Sequence, residues 1–387
     1  MSESIAITPT LFTAPSLDER ELEVLDQIEA LRKTLRFQLH EPKRWTGSLR
    51  RMAFARNVQG SNSIEGYDAA LDDAAAVALG EEPLDANTET RRALEGYISA
   101  MTYVLQLVQE PPFVLSEDLV KSLHFMMTSY DLTSRPGRWR AGAIYVRDER
   151  TGDIVHEGAD LERVQSLMEA LIESVNTSDE TALVRAAMAH LNLVMIHPFR
   201  DGNGRMARCL QSLVLAAGGV LAPVFMSIEE YLGRNTQAYY DVLAQVGGGG
   251  WNPGNDTRPW IRFILTAHLR QALTLQRRVK RTEQIWSELE ALTTARHLPE
   301  RTIAALFDAV HGFRVRRSTY MATLAEGGNA ISEQTATRDF KTLVDSGLLL
   351  PFGEKRGRHY TGSAELTEIG RRATPPRGPE SDPFADA

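Results

Sequence analysis

The stretch His197-Pro198-Phe199-Arg200-Asp201-Gly202-Asn203-Gly204-Arg205-Met206-Ala207-Arg208 decides how the rest of this chain is read. Just before it, Glu180 to Ile196 is apolar on nearly every side, the composition of a helix in the middle of a bundle. Thr177 and Glu180 have capping-box spacing at its start, and Pro198 forbids its continuation past His197. A new helix is predicted from near Gly204, so its free N–H groups and the positive end of its dipole face the turn. Gly202 and Gly204 permit positive φ and close backbone approach, as a phosphate-cradling nest requires. Arg205 and Arg208 are three apart and point to one side. The pattern predicts an anion pocket suited to a polyphosphate.

Asp201 is then a lone carboxylate in a cationic pocket, which suits Mg²⁺ held jointly by a side chain and substrate phosphates. His197, at the rim, has an ordinary pKa of about 6.5 and can accept a proton from an attacking hydroxyl.

Working outward, the chain reads as helical. Leu22, Leu25, Ile28, Leu31 and Leu35 recur at the spacing of one buried face, with Val24 flanking it and Ser16 placed to cap the start. Helical patterns recur at 48–65, 88–108 and 116–128. Ala143 to Val146 and Ile154 to His156 are short β-prone runs around Thr151-Gly152-Asp153, which predicts a β-hairpin. Gly247 to Gly254 is a loop on composition, and a helix restarts near Pro259, its continuation to about 292 leading into a second domain. Residues 1 to about 20 read as an arm, and the proline-rich tail from Thr374 as disordered.

Composition narrows the class. The 387 residues carry 43 Lys+Arg against 51 Asp+Glu, a formal charge of −8 that excludes a polybasic nucleic-acid binder over the whole chain. Cys209 has no partner, which excludes a disulfide framework and a cysteine-based zinc cluster and fits a reducing compartment. The acidic first 30 residues are the wrong chemistry for a targeting signal. The most apolar run, Leu213 to Met226, is too short to cross a bilayer. A soluble cytoplasmic protein with no membrane contact is expected.

His197 to Arg208 resembles the signature of the Fic-domain family, His-Pro-Phe-x-Asp/Glu-Gly-Asn-Gly-Arg-x-x-Arg, at every specified position. The resemblance extends over roughly 50–270: Leu123-His124 and Pro136 to Arg140 resemble the approach to that family's flap, and Trp260 to Phe263 a closing helix. It implies a mainly α fold, a Fic-type helical bundle with a β-hairpin flap. It also implies transfer of AMP from ATP, with Mg²⁺, to a Tyr, Thr or Ser hydroxyl of a target protein or of the chain itself. In that family's roles, His197 is the base, Asp201 holds Mg²⁺ and Asn203 contacts the α-phosphate. Gly202, Gly204 and Arg205 bind phosphates, and Arg208 reaches the γ-phosphate. Ile144, Tyr145 and Val146 align the target by strand pairing, and Tyr239 and Tyr240 lie near the adenine.

Ser61-Asn62-Ser63-Ile64-Glu65-Gly66 resembles the family's inhibitory pattern, Ser/Thr-x-x-x-Glu-Gly/Asn. Glu65 would pair bidentately with Arg208 and displace the γ-phosphate, and Gly66 would permit close helix approach. In some relatives this Glu is thought to orient water for removal of AMP, so the direction of the reaction stays open here.

Beyond residue 280 the pattern changes. Helices at 299–310, 318–324 and 334–346 precede a strand–turn–strand over 348–361, an order that resembles a winged helix-turn-helix, an α+β module. Residues 311–360 hold eight Lys/Arg against five Asp/Glu, so DNA is a candidate partner through Thr335, Thr337, Arg338, Lys341, Lys355, Arg356 and Arg358. A DNA-binding regulator with a nucleotide-sensing core is therefore the rival reading. Four segments follow: an N-terminal helical region with the inhibitory motif (1–110), a catalytic core (111–280), the winged module (281–372) and the tail (373–387). Relatives of this architecture often dimerise, so a second copy of the chain, in a homodimer, is a candidate partner.

Overall fold

The computed structural model describes residues 11–40, 43–109, 113–147, 151–219, 225, 227–374 and 381–385, apart from the Arg356 side chain. Helix α1 (Glu19–His40) starts at a reciprocal box. Asp18 Oδ1 accepts from the Glu21 amide at 2.8 Å, and Glu21 Oε2 accepts from the Asp18 amide at 2.9 Å, so Asp18 rather than Ser16 is the cap. The buried face is Val24, Leu25, Ile28, Arg32 and Leu35. Leu22 is 49% exposed, because the face starts one residue earlier, at Glu21, which turns inward to Arg258 and Arg262.

Helices α2 (Thr46–Ser63), α4 (Thr88–Leu107) and α5 (Glu117–Thr128) stand where periodicity predicts them. Helices α3 (Leu71–Ala78) and α6 (Val164–Thr177) are not marked as separate elements by the sequence pattern. Since α6 ends at Thr177, that residue cannot open the next helix. Thr181 does, accepting from the Val184 amide, and α7 (Ala182–Ile196) follows.

Helix α7 packs along α8 (Asn203–Ala217) at the centre of the main core, with Ala186, Ala187, Leu191, Leu193, Ile196, Met206, Ala207 and Leu210 each at most 2% exposed. Around them stand α9 (Glu229–Arg234), α10 (Thr236–Gly247) and the 38-residue α11 (Arg258–Ala295). The predicted hairpin forms: β1 (Tyr145–Arg147) pairs antiparallel with β2 (Ile154–Glu157), Val146 opposite His156, with a bulge before Arg147.

The C-terminal module runs α12 (Ile303–Val310), α13 (Arg317–Glu326), α14 (Glu333–Asp345), β3 (Leu349–Phe352), β4 (His359–Gly362) and α15 (Ala364–Arg372). Its core also contains Met52 and Ala55 of α2 and Ala74 and Ala75 of α3. Residues 375–380 of the tail lie outside the described residues, but 381–385 are ordered against the core, a correction to the expected disorder. Phe384 lies 5.1 Å from the Arg262 guanidinium, and Arg20 Nε donates to the Pro383 carbonyl at 2.8 Å. No helix among the described residues is long and apolar enough to cross a membrane.

Candidate active site

Where α7 stops, His197 takes a left-handed conformation (φ 54°, ψ 57°) and its amide closes the last turn onto the Leu193 carbonyl. Its Nδ1 lies 3.0 Å from the Val194 carbonyl. A carbonyl can only accept, so Nδ1 carries the proton and Nε2 is left as the basic nitrogen. Burial, with help from His156 and Arg140, pushes the imidazole pKa down to about 4, so it is neutral at pH 7. That is a weaker base than an ordinary histidine, but one wholly in its acceptor form.

The loop after His197 is tied from three sides. Asn203 Nδ2 donates to the Phe199 carbonyl at 2.9 Å, and its Oδ1 accepts from the Phe199 amide at 2.9 Å. Asn203 is thus the clamp of its own loop, a role different from the expected α-phosphate contact. His124 accepts from the Gly137 amide through Nδ1 at 2.9 Å, which leaves Nε2–H to donate to the Asp201 carbonyl at 2.9 Å. Its ring stacks on Phe199, centroids 3.7 Å apart. Arg140 donates from Nε to the His197 carbonyl at 2.9 Å and from its backbone amide to the Pro198 carbonyl at 2.8 Å. No sequence signal assigns these roles to His124 and Arg140, because their partners are main-chain oxygens 77 and 57 residues away.

Gly202 has φ 75° and opens α8, as the nest predicts. A Cβ on Gly204 would lie 2.4 Å from Glu65 Oε1, so the Glu65 carboxylate rests directly on the start of α8. That is the position an anion takes at a helix N-terminus. Arg208 Nη2 donates to Glu65 Oε1 at 2.6 Å and to the Ser61 carbonyl at 2.8 Å, and its Nε donates to Ser61 Oγ at 2.8 Å. The pairing with Glu65 is therefore through one oxygen, correcting the bidentate expectation, because Ser61 takes the second edge of the guanidinium. Burial alone would raise the Glu65 pKa, but Arg208, then Arg205 and His197, hold it below the usual carboxylate value.

Arg205 is almost fully buried, lies 5.0 Å from the Tyr67 ring, and donates to Tyr130 Oη at 3.2 Å. Its Nε and the Nη1 of Arg208 are buried without a hydrogen-bond partner among the described residues. Asp201 has a half-exposed side chain with long contacts, 3.5 Å to Ser134 Oγ and 3.7 Å to Arg205 Nη2. No group of three or more His, Cys, Asp or Glu able to hold a metal occurs among the described residues. A cation on Asp201 would share its coordination with phosphate oxygens, which fits Mg²⁺.

Three further expectations change. Gly66 does not serve close approach: a Cβ there would meet nothing within 4 Å, and what the position needs is its φ of 80°. Tyr239 is a core residue, 1% exposed, with Oη 2.9 Å from His190 Nε2. Tyr240 donates from Oη to the Ile64 carbonyl at 2.9 Å, so it steadies the segment that carries Glu65. The flap stands where predicted, with Tyr145 exposed and Ile144 and Val146 half-buried. A Cβ on Gly158 would lie 2.7 Å from Ile144 and 3.1 Å from His197, so the foot of the flap abuts His197.

Residues 114–215 match the Fic/DOC family. The chain is 26% identical over 253 residues to the protein adenylyltransferase Fic of Nematostella vectensis, covering 65% of this chain and 55% of that protein. It is 29% identical over 254 residues to that of Drosophila melanogaster, covering 64% and 46%. It spans about half the length of these curated relatives. Its fold resembles a solved Fic family protein of Desulfovibrio desulfuricans (TM-score 0.57, 21% identity, 91% of this chain and 99% of that one). It also resembles Fic-1 of C. elegans (TM-score 0.53, 22% identity, 66% and 71%). The chain accordingly carries, over residues 114–215, a domain of the Fic/DOC family.

Proposed function

We propose that this chain transfers AMP from ATP to a Tyr, Thr or Ser hydroxyl of a protein, and that Glu65 restrains it. The observation that carries the reading is a neutral imidazole with Nε2 unprotonated beside a helix start already receiving a carboxylate. The hydroxyl oxygen attacks the α-phosphorus and the bond to the β-phosphate oxygen breaks. Pyrophosphate leaves, and the hydroxyl proton passes to Nε2 of His197. Gly202, Gly204, Arg205 and Arg208 bind the phosphates, and Mg²⁺ on Asp201 would offset their charge. Ile144 to Val146 present a strand edge to the target segment.

Glu65 restrains transfer because Arg208 cannot serve a carboxylate and a γ-phosphate together. The test is intact mass after incubation with Mg-ATP. A gain of one AMP is expected in Glu65→Gly and in neither the parent nor Glu65→Gly with His197→Ala. An unmodified Glu65→Gly chain that also leaves added proteins unmodified sinks the reading. Loss of AMP from a pre-labelled protein, requiring Glu65, would assign the reverse direction.

A second reading concerns the C-terminal module, whose element order fits a winged helix. Thr337, Arg338 and Lys341 are exposed along α14, with Lys355 and Arg358 on the hairpin. Arg314, counted in the basic excess, is instead bound to Asp72 and Asp85. DNA retention that falls steeply with salt and is lost in Arg338→Ala with Lys341→Ala would support a DNA contact.

A further inference from the structure

Residues 381–385 return to the core as a turn that their own sequence builds. Asp382 Oδ1 accepts from the Phe384 amide at 2.9 Å, and the Ala385 amide donates to the Asp382 carbonyl at 3.3 Å. This is a β-turn closed by an Asx bond, with Asp at its first position and Pro383 at its second, where the fixed φ of proline is suited. The turn projects Phe384, which is 9% exposed and belongs to the main core.

The seat is supplied by α1 and α11. Arg20 donates to the Pro383 carbonyl at 2.8 Å, Arg270 donates to the Ser381 carbonyl, and the Arg262 guanidinium lies 5.1 Å from the centre of the Phe384 ring. These three contacts reach main-chain oxygens and one ring. What they recognise is therefore a turn that presents an aromatic, and Asp382 acts by closing that turn. The seat is one end of a larger cleft. Beside Asp382 and Phe384, about 810 Å³ stays open, lined by Tyr231, Arg234, Phe263 and Thr274. The Tyr231 and Phe263 rings meet edge to face at 6.3 Å, an apolar wall for side chains flanking the turn.

We infer that this cleft docks a partner protein through a segment carrying an Asp-Pro turn followed by an aromatic residue, and that 381–385 is its resident occupant. The tail is the template for the partner, because it shows which chemistry the seat accepts. The strand edge at Ile144 to Val146 reads backbone and carries little sequence information. A separate seat for a turn motif adds the missing selection, by holding a target to the chain and raising its effective concentration. That consequence for target choice rests on the function proposed above; the docking does not.

The probe is a fluorescein-labelled peptide of residues 379–387, followed by anisotropy with the full chain and no nucleotide. In Phe384→Ala, which withdraws the resident aromatic, saturable binding is expected below about 1 mM. The parent should bind at least about tenfold more weakly, because its tethered tail competes at an effective concentration on the order of millimolar. Adding Arg20→Gln to Phe384→Ala should cost about tenfold, from the loss of one charge-assisted hydrogen bond. The Arg20 side chain is 45% exposed, so that change leaves the core intact. Asp382→Ala, which opens the turn, serves where Phe384→Ala fails to fold. A peptide with alanine in place of its phenylalanine should not saturate.

No saturation by about 1 mM in either tail variant overturns the site. Equal binding of the alanine peptide, or of the peptide by parent and tail variants, overturns it too. A parent that dimerises where Phe384→Ala stays monomeric gives the cleft to the tail of a second copy and overturns the partner. Target choice is read in Glu65→Gly with Phe384→Ala, on a tyrosine-bearing carrier with and without the 379–387 segment. The segment is joined through about 30 Gly/Ser residues, a reach of roughly 30 Å. It should lower KM about tenfold and leave kcat unchanged. An unchanged KM beside measured peptide binding overturns the role in target choice. Failure of the proposed activity shows separately, as no AMP transfer by Glu65→Gly.

Discussion

Burial acts in opposite senses on His197 and Glu229, because one is charged when protonated and the other when not. For His197 it lowers the pKa to about 4. The acid limb of kcat/KM in Glu65→Gly should therefore lie near pH 4, not near 6.5, since kcat/KM reports the free enzyme. Glu65 itself raises the His197 value, so removing it moves the limb no higher. A limb above pH 6 would show that His197 is not the base. For Glu229, burial raises the pKa to about 7 despite donors from Tyr97 at 2.6 Å and Ser212 at 3.2 Å. The folded protein then holds a proton that the unfolded chain has lost, so stability falls as pH rises from about 4.5 through about 7. Glu229→Gln should remove that slope and gain roughly 2 kcal/mol over the parent at pH 8, read from urea midpoints at several pH values.

Among the elements, α2 is the one on which two constraints meet. At its C-terminal end Ser61 and Glu65 hold Arg208. Immediately before Ser61, Gly60 lies against α9, where a Cβ would stand 2.5 Å from the Glu229 carbonyl oxygen and 2.8 Å from the Glu230 Cα. Gly233 faces it, its own Cβ position 2.7 Å from the Gly60 Cα. Both obstacles are backbone, so Gly60→Ala must push α2 away from the core. It should cost about 1–3 kcal/mol in thermal or urea unfolding and raise AMP transfer toward that of Glu65→Gly. A stable, silent Gly60→Ala would show that the seat of α2 does not set the restraint.

The same element marks the limit of what a local pattern can carry. The 197–208 loop, the hairpin and most helix bounds are legible in the sequence because they follow local rules: a breaker at Pro198, positive φ at Gly202, periodicity. Ser61 taking one edge of Arg208, and Gly60 fitting under α9, depend on which helices cross, and no local pattern records that. The same holds for Tyr239, whose aromatic side chain reads alike as ligand contact or core until His190 is seen beside it.

At the scale of the whole molecule, α2 joins two cores. Met52 and Ala55 complete the core of the C-terminal module, while Val58 and Ile64 belong to the main core. Arg51 and Asp308 pair at 2.6 Å between them, both side chains at most 10% exposed, and Arg314 clasps Asp72 of α3 at 2.6 Å. Because one rigid helix contributes to both cores, neither can lose its packing without exposing apolar surface of the other. The chain should unfold in one cooperative calorimetric transition. Arg51→Met leaves the Asp308 carboxylate buried and unpaired, a loss of about 3–5 kcal/mol that should lower the whole transition. Adding Asp308→Leu removes the stranded charge and should restore most of the loss, since apolar replacement of a buried pair is often neutral. If Arg51→Met instead splits the transition, leaving a component that melts as in the parent, the two cores are independent. A movement of the C-terminal module would then have no path through α2 to Glu65.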